Sequence, residues 1–105
     1  MGHDRESVQK VAQEITCCML DREEVDIDSV VNGQNYINLA HQYLRVAQII
    51  NRFFDTLIRI VDWTVIRYLA NQLSKIDKKL TVTERLKLAT KIYNRLRPQG
   101  YGPKI

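Results

Sequence analysis

From Gln34 to Leu73 the chain runs for forty residues without a proline or a glycine, and its apolar side chains keep helical spacing throughout. Helices in globular proteins average about 11–12 residues, so this stretch predicts one very long central helix around which the rest must be arranged. Placed at about 100° per residue, Tyr36, Ala40, Tyr43, Ala47, Ile50, Phe54, Leu57, Ile58, Val61, Val65 and Tyr68 fall in one stripe. Gln34, Asn38, His41, Arg45, Arg52, Asp55, Thr56 and Arg59 fall on the opposite side. A second apolar band of Leu39, Val46, Ile49, Phe53 and Ile60 flanks the first. That is more apolar surface than one short neighbouring helix can cover, and the excess predicts a homodimer.

Shorter elements flank this helix. Val8, Val11, Ala12, Ile15, Cys18 and Met19 recur at three and four, which predicts a first helix over about 4–20. An acidic connector follows from Asp21 to the turn dipeptide Asn32-Gly33. Thr81-Val82-Thr83-Glu84 fits a capping box and starts a short third helix over 82–97, with Val82, Leu86, Ala89, Tyr93 and Leu96 as its buried stripe. Pro98, Gly100, Gly102 and Pro103 stop it and leave 98–105 as a flexible basic tail. The expectation is an all-α single domain over 1–97, with Asp62-Trp63-Thr64 marking where the long helix could bend.

Charge is unevenly placed. Residues 1–33 hold three basic groups against eight acidic ones, a net of −5, whereas 34–105 hold thirteen against four, a net of +9. A basic region of this kind suits a phosphate-bearing partner, although the same charges could simply keep helix faces in water. Adjacent residues on a helix point about 100° apart, so Cys17 and Cys18 cannot bridge each other and are read as reduced thiols. No segment has the length of uncharged apolar sequence that a membrane span requires, and Glu6 stands where a myristoylation motif needs Ser or Thr. A cytoplasmic location without membrane insertion is expected.

Chemistry of the catalytic kind finds no support in these residues. His3, His41, Cys17 and Cys18 lack the paired spacings of a metal site, and there is no glycine-rich phosphate loop or nucleophile elbow. No enzyme, cofactor or small-molecule substrate is expected. The informative pattern is Arg45, Arg52 and Arg59, spaced by seven, which on one helix form a row at intervals of about 10.5 Å. Guanidinium forks bind phosphate oxygens bidentately, and Gln34, Asn38, His41, Gln48 and Thr56 beside them can donate to phosphate or to a ribose hydroxyl. Such a face reads backbone and not bases, and a helix laid across the minor grooves of A-form RNA would select duplex RNA by shape. Stacking on single strands is disfavoured because most aromatics lie on the buried stripes, with Trp63 and Tyr101 as exceptions. Two other classes stay open: a helical protein–protein interaction module, and an accessory subunit of a ribonucleoprotein.

Asn38-Leu39, Ala47, Asn51-Arg52, Thr56-Leu57-Ile58, Tyr68-Leu69 and Thr83-Glu84-Arg85-Leu86, together with the order of helices, resemble the short double-stranded-RNA-binding suppressors of RNA silencing made by nodaviruses. The resemblance covers roughly residues 6–96. It implies a helical hairpin with a third helix, dimerised as an antiparallel four-helix bundle along one face of A-form RNA. Proteins of that family hide long duplexes from the dicing ribonuclease and hide short interfering RNA afterwards. By this resemblance Arg52 takes the place of the family's principal RNA-contacting arginine and Arg45 that of a contacting lysine. Gln34 stands where the family can have an arginine, and Gln42 where it can have a small contacting residue. The family favours a proline shortly after the Thr-Leu-Ile block, where this chain has Asp62-Trp63.

Overall fold

The computed structural model describes residues 5–53 and 58–103, with backbone only at 53 and 58–60. Four helices make up the described chain: α1 (Arg5–Leu20), α2 (Gly33–Phe53), α3 (Ile58–Ile76) and α4 (Val82–Leu96). Single 3₁₀ turns follow at Ile27–Ser29 and Arg97–Gln99, and there is no strand among the described residues. The all-α class expected from periodicity is what the structure shows. Each helix packs on two others, α1 on α2 and α4, α3 on α2 and α4, so the four close a ring around one core.

Local chemistry accounts for the ends of these helices. Asp21 adopts φ 53 and ends α1 in the left-handed region, where the Arg22 amide donates to the Cys17 carbonyl. Asp26 caps the turn at Ile27 by accepting from the Asp28 amide. Gly33 opens α2 directly against that turn: a Cβ here would stand 2.5 Å from the Ile27 carbonyl oxygen, so no side chain fits. The capping box at α4 forms as its sequence requires, with the Thr81 hydroxyl accepting from the Glu84 amide at 3.1 Å and Glu84 accepting from the Thr81 amide at 2.9 Å.

The core is built from the expected stripes. Val8, Val11, Ala12, Ile15 and Cys18 of α1, Tyr36, Ala40, Tyr43 and Ile50 of α2, Val61 and Val65 of α3, and Ala89, Tyr93 and Leu96 of α4 are all buried. Val82 departs from its expected burial and is 62% exposed. Both cysteines are free and buried, and burial pushes their thiol pKa values up, which favours the protonated form.

The single central rod is corrected. Tyr68 on α3 donates to the Gln42 carboxamide on α2 at 3.3 Å although the two are 26 residues apart; on one straight helix they would be separated by about 39 Å. Asn35, Asn38 and Leu39 likewise share a depression with Gln72, Lys75 and Ile76, so low numbers on α2 meet high numbers on α3 and the two helices run antiparallel. A straight helix over 34–73 would measure about 60 Å, longer than the 39 Å greatest extent of the molecule. The physical reason is burial. Folding α3 back onto α2 covers part of the second apolar band within one chain: Leu39 is buried and Val46 half-buried, while Ile49 stays 47% exposed.

The segment after α4 also differs from the expected loose tail. Tyr43, fully buried, donates its phenol hydrogen to the Tyr101 carbonyl, Tyr101 packs on the core, and Pro103 is buried. The folded unit therefore continues at least to Pro103.

Candidate nucleic-acid interface

On α2 the residues Gln34, Asn38, His41, Arg45, Gln48 and Arg52 are all exposed. At about 100° per residue they occupy one stripe about 80° wide, opposite the buried Tyr36, Ala40, Tyr43, Ala47 and Ile50. Arg45 and Arg52 lie two turns apart, about 10.5 Å along the axis. Neither makes an ion pair among the described residues. Within the stripe, the Gln34 carboxamide donates to the Asn38 side chain at 3.0 Å, which holds both amides on the surface.

The other sequence-predicted positions are placed differently. Gln42 is exposed but turned to the edge, where it accepts from Tyr68. Partial burial pushes the Tyr68 phenol pKa up, against the pull of nearby Arg45. Arg59 is the second residue of α3, a helix running antiparallel to α2, so the seven-residue register joining Arg45 to Arg52 does not carry on to it as one row. Thr56 and Asp55 lie outside the described residues.

Sequence reasoning missed one neighbour of this face. Arg5, Val8 and Gln9 of α1 border a hollow of about 350 Å³ together with Gln34, Ile37 and His41 of α2. The hollow brings an α1 cation beside the amino-terminal end of the α2 stripe. Nothing in the local sequence signals it, because the pairing depends on how α1 crosses α2.

Elsewhere the cations at the end of α4 and just after it are answered inside the fold. Arg95 bonds Glu14, Lys91 lies 3.5 Å from Asp21, and Arg97 lies 3.2 Å from Asp62 and 6.0 Å from the centre of the Tyr93 ring. Tyr93 also donates to Asp62 at 2.5 Å. The acidic amino-terminal third thus meets the carboxyl-terminal half of α4. The exposed guanidinium groups of α2 are among the cations with no acidic partner among the described residues.

Among the described residues no cluster of three or more His, Cys, Asp or Glu side chains could hold a metal, and no helix is long and apolar enough to cross a membrane. The fold and this face define a small all-helical protein with an exposed polar and cationic helix surface. No protein-family model, curated protein or solved structure matches the chain.

Proposed function

We propose that the α2 stripe binds double-stranded RNA without regard to sequence, and that the protein sequesters long duplexes and short interfering RNA from the silencing machinery as a viral suppressor of RNA silencing. The observation that carries this reading is the pair Arg45 and Arg52. Two exposed guanidinium groups in register, without carboxylate partners among the described residues and flanked by Gln34, Asn38, His41 and Gln48, form a surface of donors with no acceptor of matching charge. Phosphate oxygens and 2′-hydroxyls supply those acceptors at regular intervals along A-form RNA. The residue-level resemblance to the nodavirus suppressors supports the same assignment, with Arg52 as the principal contact.

A homodimer belongs to this proposal. Ile49, exposed at the edge of the stripe, and half-buried Val46 beside it offer an apolar margin along which two copies could meet. A two-fold axis there doubles the cationic row and lengthens the surface offered to a duplex.

Gel-shift titration of a random-sequence RNA duplex tests the reading. Arg52→Ala is expected to weaken binding about tenfold or more, as loss of a charge-assisted phosphate contact does, and to lower the salt slope by about one. A DNA duplex of the same sequence is expected to bind more weakly. Equal affinity of Arg52→Ala and wild type would remove Arg52 from the site, and absence of binding by both would remove the function.

A further inference from the structure

Trp63 and Val82 are two of the few large apolar side chains left in the open, 53% and 62% exposed, and both line one groove between α3 and α4. The groove has a volume of about 230 Å³ and is bordered by Arg67, Asn71, Arg85 and Leu86. Trp63 and Arg67 stand one helical turn apart, so indole and guanidinium leave the same side of α3. Arg85 approaches from the first turns of α4.

No acidic side chain lines this groove, and neither arginine has an ion-pair partner among the described residues. Glu84, next in sequence to Arg85, is engaged in the Thr81 cap. The Nε of Arg85 is buried with no hydrogen-bond partner among the described residues, a donor for which the fold supplies no acceptor. A second copy is a poor occupant, because a two-fold axis through the groove would set guanidinium against guanidinium. The space is below the roughly 300–1,000 Å³ of pockets for drug-sized molecules, room for one planar ring and an attached anion.

We propose that this groove binds an unpaired nucleotide of a single-stranded nucleic acid. The base stacks on the Trp63 indole over the apolar floor of Val82 and Leu86, and the adjoining phosphate is held by Arg67 and Arg85. The Asn71 carboxamide presents both a donor and an acceptor to the base edge. This site lies on α3 and α4 and requires neither Arg45 nor Arg52, so it stands or falls separately from duplex binding on α2.

Trp63 is the only tryptophan in the chain, so its fluorescence reports this groove alone. Titration of the full chain with a short oligoadenylate is expected to quench that emission to saturation. The apparent affinity should fall about tenfold or more in Arg67→Ala and in Arg85→Gln, with helical circular dichroism retained, and should fall far less in Arg52→Ala, which lies outside the groove. Absence of quenching overturns the proposal, as does equal quenching in Arg67→Ala and wild type. Quenching that disappears in Arg52→Ala would assign the change to the α2 stripe and also overturn it. Displacement of the oligonucleotide by an acidic peptide with greater affinity would make the groove a protein-docking site instead.

Discussion

Glu14 is a carboxylate with only 8% of its side chain exposed, held by Arg95 and by Lys10 at 3.1 Å. Burial alone would raise its pKa, but the hydrogen bonds from Arg95 and Lys10 outweigh burial and hold it below the usual carboxylate range. A group whose folded pKa is depressed contributes stability above its unfolded pKa, and that contribution is lost as pH falls through the folded value. Stability is therefore expected to decline below about pH 4.5, the ordinary value for this side chain. Glu14→Gln should cost about 2–3 kcal/mol at neutral pH, less than a fully buried pair because Arg95 is one-third exposed. Urea unfolding of the variant at pH 7 and pH 4 tests both parts: the gap from wild type should narrow at the lower pH, and an equal gap at both would contradict the linkage. At Arg52 the prediction concerns binding and not stability, because its side chain is exposed and makes no ion pair among the described residues.

At the scale of elements, the start of α4 was the most legible feature. Thr81 and Glu84 form their box because a hydroxyl and a carboxylate at this spacing satisfy otherwise orphaned amides, a contest settled within four residues of chain. Thr81→Ala is expected to destabilise the protein by about 1 kcal/mol, read as a lower midpoint in thermal or urea unfolding; an unchanged midpoint would mean the cap contributes nothing in this setting. Arg95, by contrast, is a cation on α4 whose local sequence holds no sign of a partner. Its partner Glu14 lies 81 residues away, and no local pattern announces such a pair. The groove at Trp63 was hidden for the same reason, since three of its seven lining residues come from α4.

The whole molecule turns on the reversal between α2 and α3. Spin labels at Gln42→Cys and Tyr68→Cys, with Cys17 and Cys18 protected by burial, are expected to report a separation well short of the ~39 Å of a straight rod. Dilution of the doubly labelled protein with unlabelled chain should leave that distance unchanged, since both labels belong to one chain; loss of the short distance would show instead that it arises between two copies. The proposed homodimer predicts twice the monomer mass by light scattering at low micromolar concentration, and a lower mass for Ile49→Asp. A wild-type monomer would remove the dimer and leave the single-chain stripe as the whole RNA surface.

The sequence by itself determined that the chain is helical, which side of each helix is apolar, where α1 and α4 begin, and that Arg45 and Arg52 share an outward face. These follow from spacing and capping, and they act over a few residues. Only the tertiary structure decided that part of the second apolar band, Leu39 and Val46, is covered within the chain while Ile49 stays exposed, because an unbroken helix and a hairpin of two in-phase helices carry the same periodicity. It also decided which cations find a carboxylate among the described residues. Arg95, Lys91 and Arg97 meet carboxylates only when α4 packs beside α1 and α3, and that packing is set by burial of the whole core rather than by any neighbour in sequence.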